Sequence, residues 1–298
     1  MKKLLLIYNP HSGKGKIHSW LSPIIAQLSQ AGWLVTACPT SGPGDAVQLA
    51  FGLGRDYERV VCCGGDGTLN EVVSGLCQLE HFPALGYIPT GTTNDFSRNL
   101  ALPKSMEAAA AVAGAGHPVL YDIGQLNQRS FVYIAAFGAF TDVAYDTPQQ
   151  FKSLFGHLAY VLEGAARLPN LKSYSLIVEH DGQQEEGDFL FGMVSNTVSV
   201  GGFSVLANDQ VKLDDGLFEV VLIRAPKTPS ALQGLIRALA TQDPDQSNGS
   251  VLGFHAASLT VTCKDPLPWT LDGEFGGSPT VAHIKNHPQA LPIVCGKP

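Results

Sequence analysis

No stretch of this 298-residue sequence approaches the roughly 18 uninterrupted apolar residues that a membrane-spanning helix needs. Charged residues are scarce, at 15%, and acids outnumber bases to give a net charge of −7. No Lys/Arg-rich run interrupts that balance, which excludes nucleic acid as the main partner. For the same reason, a membrane surface would not be gripped mainly by overall charge. The six cysteines, Cys38, Cys62, Cys63, Cys77, Cys263 and Cys295, include no C-x-x-C pair. Cys62 and Cys63 sit inside an apolar run, the setting of buried free thiols rather than of a redox or metal centre. The nine histidines are scattered, with no H-E-x-x-H pattern and no His/Cys cluster to hold zinc.

What is present is apolar material, 45% of the residues, in a chain whose length suits two domains. The opening Lys2-Lys3-Leu4-Leu5-Leu6-Ile7 briefly imitates a signal peptide. Its apolar run stops after about five residues, and a Gly/Lys loop replaces the small-residue cleavage site. It reads as a buried first strand, and the expected location is the cytoplasm.

Short apolar runs and helical patterns then alternate. Lys3–Tyr8, Trp33–Cys38, Arg59–Cys63 and Ala84–Ile88 read as strands. Between them Ile17, Trp20, Leu21, Ile24, Ile25 and Leu28 recur at helical spacing, and Ala46–Phe51 continues the theme. Leu69, Val72, Val73 and Leu76 fall at i, i+3, i+4 and i+7, and a further helix is expected over Thr93–Leu100. Such alternation predicts a parallel sheet covered by helices, with ligands at the carboxyl ends of its strands.

Near Gly114–Pro118 the texture changes. Val119–Leu126, Phe131–Phe137, Ser173–Glu179, Phe189–Ser195, Leu217–Ile223 and Ser258–Cys263 read as strands, and Asp181-Gly182, Asp215-Gly216 and Asn248-Gly249 as turns. Helices are expected only over Pro148–Leu168 and Pro229–Leu239. The fold expected is therefore an α/β domain over 1–120 and a mainly antiparallel β-sandwich over 121–284. A last strand, Leu291–Val294, would let 285–298 rejoin the first domain.

The sharpest motif is Gly64-Gly65-Asp66-Gly67-Thr68-Leu69-Asn70-Glu71, between a strand and an amphipathic helix. Its glycines can take positive φ and bring bare backbone to a ligand, while successive N–H groups at the helix start bind anions. Asp66 would repel phosphate unless a divalent cation stood between them. Thr68 and Asn70 can contact phosphate oxygens or cap the helix. Thr90-Gly91-Thr92-Thr93-Asn94-Asp95-Phe96 follows the next strand and emerges on the same edge. Asn94 and Asp95 there can cap a helix or orient a substrate hydroxyl.

Asn9-Pro10-His11-Ser12-Gly13-Lys14-Gly15-Lys16 ends the first strand without Walker A spacing; it is either a phosphate contact or a solvated loop. Thr40, after the second strand, lies on the same edge. In the second domain, Lys212-Leu213-Asp214-Asp215-Gly216-Leu217 suits either a hairpin turn or a cation site. Leu271-Asp272-Gly273-Glu274 reads as surface turn acids or as a glutamate free to reach a cleft. Phe151, Leu154, Phe155, Leu158 and Leu162 recur at helical spacing, facing either a core or an acyl-chain groove.

Taken as a set, these residues resemble the diacylglycerol kinase catalytic family, in its soluble bacterial lipid kinase branch, across nearly the whole chain. The Gly-Gly-Asp-Gly element is shared with NAD kinases; Gly91-Thr92-x-Asn94-Asp95-Phe96 and Leu271-Asp272-Gly273-Glu274 tilt the likeness to lipid kinases. The resemblance implies an ATP- and Mg2+-dependent kinase acting on diacylglycerol or a related lipid, in a cleft between the domains. It implies that Asn9, Thr40, Gly64, Gly65, Asp66, Gly67, Thr68, Leu69, Asn70 and Thr92 hold ATP, with Asp66 acting through catalytic magnesium. It further implies a structural magnesium at Lys212, Asp215 and Leu217, acceptor contacts from Asn94 and Asp95, and Glu274 as general base. Contact with the lipid surface would be peripheral and reversible; the oligomeric state is left open, a homodimer being compatible. The rival readings are a NAD kinase-like or other small-molecule kinase, and a catalytically silent nucleotide- or lipid-sensing module.

Overall fold

The computed structural model describes residues 1–15, 17–91, 94, 96–138, 162, 172–196, 212–241 and 243–296. The chain divides into two compact units, Met1–Ile123 with Pro288–Pro298, and Gly124–His287.

In the first unit β1 (Lys2–Tyr8), β2 (Trp33–Pro39), β3 (Arg59–Gly64) and β4 (Ala84–Pro89) form a parallel sheet in the order β4-β3-β1-β2. Ile293 pairs with Leu85 at the β4 edge. Successive side chains of a strand point to opposite faces, and both faces are buried here. Leu4, Leu6, Val61, Cys63 and Ile88 form one core with α1 (Ile17–Gln30) and α5 (Met106–Ala115). The alternate residues, Leu5, Ile7, Val60 and Cys62, are equally buried, and α3 (Asp66–Leu76) packs against β3 and α2 (Asp45–Leu53). The chain leaves β1 for β2 on one side and then crosses to β3 on the other. Asn9 and Gly65 therefore follow the two strands that flank the switch point, where such sheets open a crevice. At the opposite end Arg59 donates to the carbonyls of Ala113, Gly114 and Gly116 at 2.7, 2.9 and 3.0 Å, closing the end of α5.

The second unit is antiparallel. β9 (Gln183–Ser195) pairs with β8 (Tyr174–His180) through its first half; its second half is flanked by β7 (Ile134–Gly138) and β10 (Phe218–Arg224). One strand thus serves both layers of a sandwich. β8 continues to β12 (Ser258–Cys263), and β10 to β11 (Val251–Ala256). β7 continues to β13 (Trp269–Leu271) and β14 (Glu274–Gly277). Aromatic rings fill the core: Phe131 stacks on Phe218 at 5.6 Å, and Trp269 meets Phe137 edge-on at 5.0 Å. β5 (Pro118–Leu126) and β15 (Val281–Val294) each pass from one unit into the other, β6 (Arg129–Phe131) pairs with β5, and α6 spans Pro229–Thr241.

The fold class is the one expected, with local corrections. The expected strand over Phe131–Phe137 is two, β6 and β7, interrupted at Val132-Tyr133 because those backbone N–H groups bond to a side chain instead of a ladder. The helix expected over Thr93–Leu100 is described only as the short α4, Phe96–Asn99. β11, β14 and the first half of β15 were not expected; Glu274-Phe275-Gly276-Gly277 has no apolar alternation and is a strand only through pairing with β13. The helix expected over 148–168 lies outside the described residues except Leu162, which is buried.

Candidate active site

Four loops leave the carboxyl ends of adjacent parallel strands, and two of them lock together. β3 ends at Gly64 and α3 begins at Asp66; the N-cap, Gly65, is extended (φ −89°, ψ −175°) and has no side chain to offer the first-turn N–H groups. An uncapped helix start with a glycine approach is an anion site by construction. The expected positive φ is absent: Gly65 is extended, Gly64 ends a strand and Gly67 lies in the first helical turn. Close approach is the reason for Gly64 and Gly65 instead. A Cβ on Gly64 would stand 2.5 Å from the Thr68 Cβ, and one on Gly91 2.6 Å from the Gly65 Cα.

Asp66 is half-buried, and its carboxylate accepts the Phe96 N–H at 3.4 Å, joining this loop to the one after β4. The Thr90 N–H donates to the Gly64 carbonyl at 2.8 Å, and the Thr90 hydroxyl reaches Ser12 Oγ at 2.8 Å. Asn9 donates its N–H to the Cys63 carbonyl at 2.9 Å and its Nδ2 to the Thr68 hydroxyl at 3.4 Å. Thr40, after β2, donates to the Tyr8 carbonyl at 2.9 Å. Asn9, Thr40, Thr68 and Asn70 are brought to one edge and remain partly exposed. Leu69 is buried in the core side of α3, so only its backbone is left for a ligand.

The Asn94 side chain is engaged within its own loop: Oδ1 accepts the Gly91 N–H at 2.8 Å and the Tyr87 hydroxyl at 3.3 Å, while Nδ2 donates to the Gly91 carbonyl at 2.8 Å. Its backbone is left-handed, with φ 51°. Thr92, Thr93, Asp95 and Lys16 lie outside the described residues.

Sequence reasoning missed Glu71. Its two carboxylate oxygens accept the N–H groups of Gly44 and Ala46, at 2.8 and 3.2 Å, fastening the segment after Thr40 to α3. The only local signal, Glu three residues after Thr68, suggests a capping box in its own helix rather than this long-range contact.

In the second unit, Asp272 and Gly273 take φ 50° and 90° and link Leu271 to Glu274 in a two-residue hairpin turn. Glu274 opens β14 and is exposed. Asp272 is not a surface acid: it is 3% exposed, and its carboxylate accepts the N–H groups of Val132, Tyr133 and Ile134 at 2.6, 3.0 and 3.0 Å. Asp215 is exposed in a turn before β10, where its carboxylate accepts the Leu217 N–H at 3.1 Å beside Gly216 at φ 79°. Lys212 is exposed and Leu217 half-buried in the same turn. Among the described residues no three His, Cys, Asp or Glu side chains converge on a metal position. Burial pushes the Cys62 thiol well up and that of Cys63 up to about 12, which leaves both protonated and unreactive.

Residues 3–126 match the family described as the diacylglycerol kinase catalytic domain, and residues 136–295 match the YegS C-terminal NAD kinase beta sandwich-like domain. The chain belongs to the diacylglycerol kinase family. A diacylglycerol kinase of Staphylococcus carnosus is 36% identical, over 93% of this chain and 90% of its own. One from Bacillus subtilis is 35% identical, over 93% of this chain and 91% of its own. The crystal structure of a diacylglycerol kinase from Bacillus anthracis shares the fold with a TM-score of 0.75, covering 99% of this chain and 97% of its own at 24% identity. All four loops at the parallel-sheet edge fall within the catalytic-domain match, and the Asp272–Glu274 hairpin falls within the sandwich match.

Proposed function

We propose that the chain is an ATP-dependent lipid kinase, transferring the γ-phosphoryl group to the hydroxyl of diacylglycerol or a closely related lipid. The product is phosphatidic acid or the corresponding phospholipid. The observation that carries this reading is the gathering of Asn9, Thr40 and the Gly64–Asn70 turn at one sheet edge, around the uncapped start of α3. The relatives named diacylglycerol kinase, alike over nearly their whole length, supply the acceptor class.

Phosphoryl transfer asks the protein mainly for positioning and charge neutralisation. The α3 N-terminus, Thr68, Asn9, Thr40 and Thr92 hold the phosphates. The donor set fits magnesium: one carboxylate, Asp66, beside a phosphate site matches the way this ion binds through few protein oxygens plus the substrate. Bound there, it neutralises charge on the transferred group. Asp215 with the carbonyls of Lys212 and Leu217 offers hard oxygen donors for a second, structural magnesium. Glu274 is the general base: it accepts the hydroxyl proton as the acceptor oxygen bonds to the γ-phosphorus and the bond to ADP breaks. Asn94 holds the loop from which Asp95 orients the acceptor. The acceptor is met at a lipid surface, in peripheral and reversible contact. Among the described residues no helix is long and apolar enough to cross a membrane.

A NAD kinase-like activity is the second reading, favoured by the description of the sandwich match. ATP radiolabelled in its γ-phosphate, offered with diacylglycerol vesicles, NAD and sugars together, separates the two. Label in the organic phase supports the lipid kinase; label only in water-soluble product rejects it.

A further inference from the structure

We propose that Asp272 is a positioning residue whose buried carboxylate sets the place of the base Glu274, an inference that rests on the assignment of Glu274 above. The turn itself does not require an acid: Asn and Gly fill left-handed hairpin positions as readily as Asp at φ 50°. What an acid alone satisfies is the cradle opposite. The N–H groups of three successive residues, Val132, Tyr133 and Ile134, converge on the one carboxylate at 2.6, 3.0 and 3.0 Å. Successive amides aimed at one point make a concave positive site that a ligand anion ordinarily fills; here the anion is supplied by the chain. The Asp272 N–H donates in return to the Ile134 carbonyl at 2.9 Å, so the turn is tied in both directions.

The cradle coincides with the break at Val132-Tyr133 in the strand expected across 131–137, and three donors point to one place there. The tip needs such an anchor. Among the described residues β14 is the terminal strand of its sheet and pairs only with the three-residue β13. A side chain also reaches it: Arg129 Nη1 donates to the Phe275 carbonyl at 2.8 Å. Glu274 follows the turn directly, opposite Leu271, so any shift of Asp272 is passed to it through one residue of backbone. A misplacement of about 1 Å at a reacting group costs on the order of 100-fold in rate.

The test is a double-mutant cycle with Asp272→Asn, which keeps size and left-handed tolerance but loses the charge and part of the accepting capacity. Turnover is measured with whichever acceptor the wild-type enzyme phosphorylates, so failure of the lipid reading leaves the cycle intact. D272N is expected to lower kcat by about 10- to 100-fold with the KM for ATP unchanged. In the E274Q background, followed as slow residual turnover, it adds no further loss. Asp272→Gly, which keeps the turn without an acceptor, follows the same pattern. Faster amide exchange confined to Val132–Ile134 and the hairpin supports release of the clamp in a folded protein. An equal loss in both backgrounds, a parallel rise in the KM for ATP, or wild-type kcat in D272N overturns the positioning role. Wild-type kcat in E274Q overturns the base assignment and the positioning role together.

Discussion

Asp66 and Glu274 are held in opposite ways. Asp66 sits half-buried where loops from adjacent parallel strands cross, next to glycines that allow backbone to meet backbone, and its carboxylate already bonds to Phe96. Glu274 is exposed at the tip of an edge hairpin, and its proposed anchor is Asp272, two residues away, whose carboxylate meets Val132 about 140 positions earlier. The first carboxylate stands among crowded loops; the second is proposed to be placed by one buried charge. In the function proposed above, phosphates, which every nucleotide presents alike, are assigned to the crowded edge, and the acceptor, the variable partner, to the exposed one.

That contrast is open to attack from both sides. The largest effect is expected from Asp66→Ala: loss of at least about 1,000-fold in kcat, because charge neutralisation at the transferred group is the main contribution to catalysis. Circular dichroism and thermal melting would check that the fold survives; near-wild-type turnover removes Asp66 from the mechanism. Next comes Gly64→Ala, whose Cβ would stand 2.5 Å from Thr68. Overpacking of this kind costs about 1–3 kcal/mol, read as a lower urea midpoint together with weaker ATP binding. An unaltered midpoint would mean the crossing is looser than described.

How much of this was legible follows the range of the contacts. The parallel half was readable because its strands are buried on both faces and its helices keep a 3.6-residue period, as in Leu69, Val72, Val73 and Leu76. The turn from β3 into α3 was readable because glycines and an acid stand together in eight residues, between an apolar run and a helical period. The positive φ expected of those glycines is not found: conformational freedom and close approach leave the same letter in the sequence, and only the Thr68 and Gly91 contacts of Gly64 and Gly65 distinguish them. Asp272 and Glu71 were illegible as anchors because their partners, Val132–Ile134 and Gly44–Ala46, are distant in the chain and bond through backbone N–H groups, which carry no residue signature. β14 was illegible because glycine-rich edges carry no alternation.

Smaller effects sharpen the crowded side. Glu71→Ala frees the segment after Thr40 from α3 and is expected to raise the KM for ATP by about 5- to 10-fold, the equivalent of about 1–1.4 kcal/mol for a lost charge-assisted contact, with kcat little changed. An unchanged KM would separate that segment from nucleotide binding. Smallest is a pH effect at Cys63, whose thiol burial holds up to about 12. The unfolded chain ionises near the usual thiol value of about 8.5, so this contribution is complete below that pH and is lost as pH rises toward about 12. The melting advantage of the wild type over Cys63→Ala should therefore narrow across that window; a constant difference would mean the thiol is not buried as described.

The most direct test concerns Glu274→Gln. ATP affinity by calorimetry and phosphatidic acid formation from diacylglycerol vesicles would be measured on the same preparation. The expected result is wild-type affinity for ATP with turnover reduced about 100- to 10,000-fold, the usual contribution of a general base. Phosphatidic acid formed at close to the wild-type rate would contradict the account.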